Sequence, residues 1–129
     1  MEKGNKFNSE FNVSEEIYSG FIQLFNDENP LHTDTSFAMS KGFKGVVMHG
    51  NILNGFLSFF VGELLPIKNV IIQTQSIKFL KPVYMNDKLM LNAEIVDVHE
   101  SVNTVEFKFD FSNSKPEKVA RGTISVGII

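Results

Sequence analysis

The sequence predicts an α+β fold in which a curved antiparallel sheet wraps around one long, buried helix. Apolar and polar residues alternate with a period of two through three stretches of the second half of the chain, a pattern typical of strands with one covered face. Residues 50–65, by contrast, are apolar around nearly the whole circumference of a helix, which predicts burial on most sides. No other segment is apolar enough to cover the sheet, so we expect this helix to lie against it.

Length, charge and residue usage narrow the classes of protein that fit. The chain has 129 residues, enough for one domain with a sizeable core, and we interpret residues 1–129 as a single domain. A net charge of −3 without a lysine or arginine cluster argues against nucleic acid as a partner. The absence of cysteine excludes disulfides and a thiol nucleophile. The N-terminus lacks the apolar segment of a secretory signal, and the longest apolar run, residues 52–65, is too short to span a bilayer, so we expect a cytoplasmic protein without membrane partners.

The beginning of the chain predicts a strand followed by a capped helix. Residues 1–13 are polar, with two phenylalanines that fit a short strand after a frayed start. Ser14 followed by two glutamates is an N-cap signal, with carboxylates where the helix dipole favours them. We expect this helix to run to about Phe25 with one apolar face, formed by Ile17, Phe21, Leu24 and Phe25.

Two ionisable side chains, Asp27 and His32, follow this helix five residues apart. Between them lies Asn29-Pro30, in which the proline fixes its own φ and disfavours the helical region for the preceding residue. We therefore expect a rigid turn here and not a helix. Residues 35–39 are expected to form another short helical turn, and residues 41–45 a loop with two glycines.

Residues 50–65 predict the central helix, which Pro66 ends. Its three glycines, Gly50, Gly55 and Gly62, would each destabilise an exposed helix by roughly 1 kcal/mol, so we expect a neighbouring layer to approach closely at these positions. Gly50 also presents a backbone N–H at the helix start that no side chain obstructs and that the helix dipole reinforces. Such a donor suits the negative oxygen of a reacting carbonyl.

The rest of the chain predicts strands separated by turns. Three regions alternate regularly and one is longer and less regular; they are residues 88–95, 105–111 and 120–128, and residues 70–83. Turn-forming residues separate them, at residues 85–87, 100–101 and 113–116. Strands this close in sequence favour an antiparallel meander with one apolar face.

An acid, a base and an oxyanion donor all lie within a quarter of the sequence, and the residues are Asp27, His32 and Gly50. Taken singly, Asp27 could simply end the first helix, and His32 could be a hydrogen-bonded structural residue. Their combination favours a catalytic pair that holds one small molecule such as water. We interpret His49, at the entrance of the central helix, as mainly structural. Ser58 needs a partner, either the carbonyl four residues earlier or a group of the active site.

A metal site is conceivable from the residue types alone, with Asp27, His32, Asp34 and His49 as ligands. The turn around Asn29-Pro30, however, matches no ligand spacing of a helix or a hairpin. We therefore predict no metal at this position.

The segment from Asp27 to Asp34, together with Gly42-Phe43 and the stretch from Val47 to Gly50, resembles the hydratase signature of the MaoC-like family. It is similar in particular to the (R)-specific enoyl-CoA hydratases that act as short single-domain chains. The likeness continues through residues 75–83 and Asp87, so it covers most of the chain from Ser14 onwards. The resemblance implies the hot-dog fold, in which a curved sheet encloses a central helix.

The same resemblance assigns roles to particular residues. It makes Asp27 the catalytic base and His32 the acid, an order that the spacing alone leaves open. It makes the Gly50 N–H the oxyanion donor, with Asn29 and Ser58 as supporting residues. It also implies a homodimer or higher homo-oligomer, with the acyl-CoA site near the subunit interface.

Reversible addition of water to a trans-2-enoyl-CoA, giving an (R)-3-hydroxyacyl-CoA, is the reaction that this set of residues fits. A base must activate water, an acid must protonate the neighbouring carbon, and a donor must hold the enolate-like oxygen. No cofactor is expected, because no electrons are transferred and coenzyme A is part of the substrate. Two alternatives stay open at this point, a hot-dog acyl-CoA thioesterase and a non-catalytic acyl-CoA-binding protein.

Overall fold

Five strands form one antiparallel sheet in the computed structural model, which describes residues 1–129. The strands are β1 (Lys6–Asn12), β2 (Val70–Phe79), β3 (Lys88–His99), β4 (Thr104–Ser112) and β5 (Lys118–Ile128), and their order across the sheet is β1-β3-β4-β5-β2. The helices are α1 (Glu15–Phe25), α2 (Pro30–Thr33), α3 (Thr35–Ser40) and α4 (Asn51–Phe59), which a π-helical turn (Phe60–Leu64) extends. A 3₁₀ turn (Glu100–Val102) connects β3 to β4.

The predicted meander is confirmed for β3, β4 and β5, which pair with one another in sequence order. β2 joins the sheet beyond β5, and β1 pairs with β3, so these two strands are the edges. The turns fall where the sequence predicts them. In the turn before β3, Asn86 has a φ of 71°, and the Asp87 carboxylate accepts a hydrogen bond from the Tyr84 N–H at 3.0 Å.

The core lies between the sheet and α4, as the sequence predicts. Every second residue of the central strands is buried: Leu89, Leu91, Ala93 and Ile95 in β3, and Val105, Phe107, Phe109 and Phe111 in β4. The helix supplies Ile52, Leu53, Phe56 and Leu57, and the π-helical turn supplies Phe60 and Val61. Edge-to-face contacts at 5.8 Å between ring centroids join Phe60 to both Phe7 of β1 and Phe107 of β4. Each such side chain contributes about 1.5–3 kcal/mol of hydrophobic stabilisation when fully buried.

The central helix is less completely buried than the sequence predicts. Phe59 and Leu64 are 49% and 40% exposed, although the Phe59 ring still meets Phe11 of β1 edge to face, with 6.1 Å between ring centroids. The predicted close approach at its glycines is also wrong at two of three positions. A Cβ added at Gly55 or Gly62 would meet no atom within 4 Å. None of the helices is long and apolar enough to cross a membrane.

The apolar face of α1 is likewise largely uncovered. Leu24 and Phe25 are 76% and 67% exposed, and Tyr18 is the one buried residue of this helix. α1 and α4 border an open cavity of about 1000 Å³, here called the α1–α4 groove. Its apolar lining consists of Ile17, Phe21, Leu24, Phe25, Ile52 and Phe56. The groove reaches Asp27, so it lies next to the candidate site.

Candidate active site

The segment between α1 and α2 has a conformation that its sequence dictates closely. α1 ends at Asn26, whose left-handed φ of 56° lets its N–H donate to the Ile22 carbonyl at 2.8 Å. Asn29 is extended, at φ −50° and ψ 133°, and its side chain accepts a hydrogen bond from the Leu31 N–H at 3.0 Å. Pro30 then occupies the first helical position, where its missing N–H costs nothing. The expectation of a turn and not a helix is therefore wrong, since the proline starts a one-turn helix instead of preventing one.

His32 lies in the last turn of α2, with one ring nitrogen already engaged. Its Nδ1 is 2.6 Å from the Val47 carbonyl oxygen. Because a carbonyl only accepts, Nδ1 carries a hydrogen and donates it. Nδ1 is therefore occupied, and Nε2 is the ring nitrogen left to act on a bound molecule.

Asp27 lies just beyond the C-terminus of α1 with its side chain 50% exposed. One carboxylate oxygen accepts a hydrogen bond from the Asn29 N–H at 3.3 Å. The other oxygen lies 4.0 Å from His49 Nε2. Acid–base atoms of Asp27, His32 and His49 all fall within 4.8 Å of one another, so the two residues singled out in the sequence do come together.

His49 contacts both members of this pair, which gives a specific form to the structural role that the sequence indicated for it. The residue is 2% exposed, and its Nε2 donates a hydrogen bond to the Asp27 carbonyl oxygen at 2.9 Å. Its ring stacks on that of His32, with 3.9 Å between ring centroids, and Phe21 covers it at 4.6 Å. Its position immediately before Gly50 was the one sequence signal for such a role.

Gly50 presents its backbone to the same cavity. Its N–H makes no backbone hydrogen bond within the chain, and the residue lines a cleft of about 510 Å³ together with Asp27 and His32. A Cβ at this position would lie 2.9 Å from the Phe79 ring, so the close approach predicted for the helix glycines is real here. The apolar walls of this catalytic cleft include Phe43, Val47, Met48, Leu53, Phe79 and Val83.

The two residues expected to support the pair differ in their placement. Asn29 caps α2 and so fixes the backbone that carries His32. Ser58, by contrast, is exposed on α4, its hydroxyl makes no hydrogen bond to the carbonyl four residues earlier, and it does not line the catalytic cleft. The single chain does not bring Ser58 to Asp27 or His32, and its supporting role stays a prediction.

The spacing argument against a metal ion is wrong, because the fold brings together residues that are apart in the sequence. Asp27, His32 and His49 converge closely enough to act as ligands, although a turn and a helix entrance separate them in the sequence. Asp34, the fourth residue considered, instead caps α3 by accepting a hydrogen bond from the Phe37 N–H at 3.1 Å. Both histidines use one nitrogen on a backbone carbonyl, which orients their rings whether they act on a proton or on a metal. The absence of a metal stays a prediction.

A curved sheet around one helix places this protein in the class of hot-dog proteins, with an acid–histidine pair beside the entrance of that helix. The MaoC like domain family model matches residues 1–114, and the chain belongs to this family. The resemblance noted in the sequence is thereby confirmed.

Individual relatives are similar to the chain over most of its length. An (R)-specific enoyl-CoA hydratase of Aeromonas caviae is 34% identical over 82 residues, which are 64% of this chain and 61% of that protein. The match thus spans less than two thirds of that relative. A mitochondrial 3-hydroxyacyl-[acyl-carrier-protein] dehydratase of Arabidopsis thaliana is 26% identical over 96 residues, covering 74% of this chain and 57% of that protein. The solved structure of the (R)-hydratase of A. caviae superposes with a TM-score of 0.91 at 26% identity, covering 100% of this chain and 98% of that one.

Proposed function

We propose that this chain catalyses the reversible hydration of a trans-2-enoyl-CoA to an (R)-3-hydroxyacyl-CoA. The observation that carries this proposal is the presence of Asp27, His32 and the unpaired Gly50 N–H in the lining of one cleft. Membership of the MaoC-like family and the hydratase relatives support the same reaction. The enzyme would be a hydro-lyase.

The geometry fits a mechanism in which one water molecule lies between the two side chains. The Asp27 carboxylate removes a proton from this water as its oxygen forms a bond to C3 of the substrate. Electrons of the C2–C3 double bond move towards the thioester, and the resulting enolate oxygen receives a hydrogen bond from the Gly50 N–H. The imidazolium of His32 then gives the proton on Nε2 to C2, since Nδ1 stays bonded to the Val47 carbonyl. The proton held by Asp27 returns to His32, so the net change is the addition of one water.

The contribution of each group to the rate can be given as an order of magnitude. Positioned proton transfer by Asp27 and His32 is worth on the order of 10²–10⁴-fold in rate. A preorganised N–H at the developing oxyanion contributes about 3 kcal/mol more. Only a proton and hydroxide are added, so the reaction itself calls for no cofactor, and coenzyme A enters as part of the substrate.

We also propose that the working form is at least a homodimer. The α1–α4 groove is apolar, exposed and adjacent to Asp27, so a second copy that covers it would also close the acyl-binding region. The edge strand β2 adds Ile71 and Phe79, which are 52% and 51% exposed. Edge strands with apolar side chains are prone to pair with another chain. Cytoplasmic location stays a prediction from the sequence.

Crotonyl-CoA tests the reaction directly, with enoyl absorbance and free thiol followed separately. We expect enoyl absorbance to fall without release of thiol, and the reverse reaction to consume the (R) but not the (S) isomer of 3-hydroxybutyryl-CoA. Release of thiol would instead identify a thioesterase, and binding without either change would identify a non-catalytic protein. Asp27→Asn is the matched control for contaminating activity, because it keeps the shape of the side chain.

A further inference from the structure

Two buried side chains beside the candidate site each hold a polar atom that makes no hydrogen bond within the chain. They are the phenol oxygen of Tyr18 and Nδ1 of His49, in residues that are 7% and 2% exposed. No other buried side-chain nitrogen or oxygen lacks a partner, and these two belong to neighbouring rings, with 5.7 Å between the ring centroids. Because a buried polar atom without a partner destabilises a fold, their proximity indicates that the two atoms serve each other.

The surroundings of His49 favour Tyr18 as the partner of its Nδ1. The ring stacks on His32 and packs against Phe21, and its Nε2 donates to the Asp27 carbonyl oxygen. Of the three rings that contact His49, only that of Tyr18 carries a hydroxyl. The Tyr18 ring is tilted by 54° from the plane of the imidazole, so the two rings do not stack.

The contact between His49 and Asp27 requires one particular tautomer. A neutral imidazole has a single N–H and a carbonyl only accepts, so the hydrogen must be on Nε2. With the hydrogen on Nδ1, the bare Nε2 would face the carbonyl oxygen at 2.9 Å, and the two acceptors would repel. A ring with both hydrogens would place a positive charge against the His32 imidazolium of the proposed mechanism, with 3.9 Å between ring centroids. The site therefore requires a neutral His49 whose Nδ1 accepts a hydrogen bond.

Tyr18 is suited to donate that hydrogen bond. Burial raises the pKa of its phenol, because the phenolate is poorly solvated in the interior, so the hydroxyl keeps its hydrogen around neutral pH. Tyr18 and Phe21 lie three residues apart on one face of α1, and both contact His49. The same helix ends just before Asp27, so α1 carries the donor at one end and leads to the carboxylate at the other.

We propose that Tyr18 is a positioning residue for Asp27 and His32, which acts by donating a hydrogen bond, directly or through one bound water, to Nδ1 of His49. This hydrogen bond keeps the His49 hydrogen on Nε2, where it holds the Asp27 carbonyl, and keeps the ring neutral against His32. The catalytic roles of Asp27 and His32 rest on the proposed function, whereas the hydrogen bond to His49 does not. Tyr18 lies outside the hydratase signature, which begins at Asp27.

Nitrogen-15 NMR of protein with labelled histidines tests the hydrogen bond at about pH 8, where an ordinary histidine is neutral. The bare and the hydrogen-bearing nitrogen of a neutral imidazole resonate in separate regions, and a hydrogen bond moves the bare nitrogen towards the other region. We expect the wild type to have the His49 hydrogen on Nε2 and a Nδ1 signal moved in this way. Tyr18→Phe should return the Nδ1 signal to the region of a free bare nitrogen or mix the two tautomers. Samples of His32→Gln and His99→Gln assign the three rings, and Tyr84→Phe, which removes the other phenol, is the matched control.

Steady-state kinetics with crotonyl-CoA tests the effect on the catalytic pair. Tyr18→Phe keeps the ring that packs beside His49 and removes only the hydroxyl. We expect kcat to fall about tenfold with KM nearly unchanged, because a displaced Asp27 affects the chemical step more than binding. The carbon-13 signal of the Asp27 carbonyl should also move, since its hydrogen bond from His49 changes. Tyr84→Phe should keep the kcat and the carbonyl signal of the wild type.

Three results would overturn the inference. They are a wild-type His49 with its hydrogen on Nδ1, a His49 signal that Tyr18→Phe leaves unaltered, and an altered His49 signal with unchanged kcat in an active enzyme. If the wild type hydrates no thioester, the proposed function fails, and the signals of His49 and Asp27 decide the inference, because they do not require turnover. Movement of both signals in Tyr18→Phe, and of neither in Tyr84→Phe, would then support it. An unmoved Asp27 signal would refute it.

Discussion

At the residue scale, the fold specifies the structural role that the sequence indicates for His49. Its Nε2 donates to the Asp27 carbonyl oxygen and its ring stacks on His32, so one buried side chain sets the separation of the two groups of the proposed mechanism. Burial between Phe21 and His32 leaves it little freedom to rotate. We therefore consider His49 a positioning residue for the pair, and the chemistry is expected to depend on Asp27 and His32 themselves.

The first residue-scale prediction concerns how catalysis divides between these two side chains. Asp27→Asn cannot accept a proton, and His32→Gln provides no acid near neutral pH, so each should lower kcat by at least about 10²-fold with a small change in KM. Because both act on one water, the double variant should be little worse than the poorer single variant. Steady-state kinetics with crotonyl-CoA measures all three. Nearly normal turnover by Asp27→Asn, with the fold intact, would show that this segment is only structural.

A second prediction at this scale concerns Tyr18, which packs beside His49 in the interior. Burial raises the pKa of the Tyr18 phenol above 10.0, because the phenolate is poorly solvated there. The folded state thus holds this proton more tightly than the unfolded state. The associated stability is fully present below the unfolded pKa and is lost as the pH rises through the folded pKa.

The variant Tyr18→Phe should remove this loss of stability at alkaline pH. Urea unfolding at about pH 8 and about pH 11 should show a smaller fall in the free energy of unfolding for Tyr18→Phe than for the wild type. Tyr84→Phe removes the other phenol of the chain and is the control, which should behave as the wild type. If the free energy of unfolding fell equally at alkaline pH in the wild type and in Tyr18→Phe, the raised pKa would not belong to Tyr18.

At the scale of elements, the residue at the entrance of α4, Gly50, must meet two structural requirements. Gly50 must leave its N–H free for the proposed oxyanion and must also leave room for the Phe79 ring of β2, which would lie 2.9 Å from an added Cβ. The glycine is therefore needed for close packing and not for an unusual φ, since its φ of −57° is ordinary for any residue. The rest of α4 tolerates solvent on one side, as Gly55 and Ser58 show.

The corresponding prediction is that Gly50→Ala impairs catalysis through this contact. Either the Phe79 ring or the start of α4 must shift, and a small displacement of the donor is expected to lower kcat by roughly tenfold or more. Adding Phe79→Leu makes room and should restore much of the rate, with both measured on crotonyl-CoA. Failure of the second substitution to recover any activity in a folded protein would mean that the steric explanation is wrong.

At the scale of the whole molecule, the monomer leaves several apolar faces open, and one of them, on α1, borders the candidate site. Leu24 and Phe25 extend from α1, and Phe59 extends from α4, although the interior of the sheet is well covered. Exposed groups of this size next to a catalytic cleft are expected to be covered in the functional assembly. The proposed dimer accounts for both the uncovered face of α1 and the open side of α4.

The prediction at this scale is that α1 contributes to the subunit interface. Light scattering at micromolar concentration should give at least a dimer for the wild type, and Leu24→Lys with Phe25→Glu should shift it to a monomer with lower activity, because charged groups would have to be buried. Val102→Lys is the control, since Val102 is 64% exposed in the 3₁₀ turn, away from the groove. A wild-type monomer with full activity would refute the dimer.

The sequence by itself determined the family and most of the elements, although not the one-turn helix α2. Alternation with a period of two located β3, β4 and β5, Ser14 located the start of α1, and the segment from Asp27 to Gly50 carried the family resemblance. These features are local, because side-chain periodicity and capping depend on residues a few positions apart. The same local features also identified Asp27 and His32 as candidate catalytic residues.

Only the tertiary structure decided which surfaces are covered and which atoms are free. The α1 and α4 faces are apolar in the sequence, yet the monomer covers them incompletely, because coverage depends on how much surface the sheet can reach. Likewise, His32 leaves Nε2 and not Nδ1 available because Nδ1 bonds to the Val47 carbonyl, which lies fifteen residues away. The particular contact that His49 makes with Asp27 spans twenty-two residues, so its position before Gly50 did not identify the partner. Hydrogen bonds and packing across such distances exist only once the chain has folded.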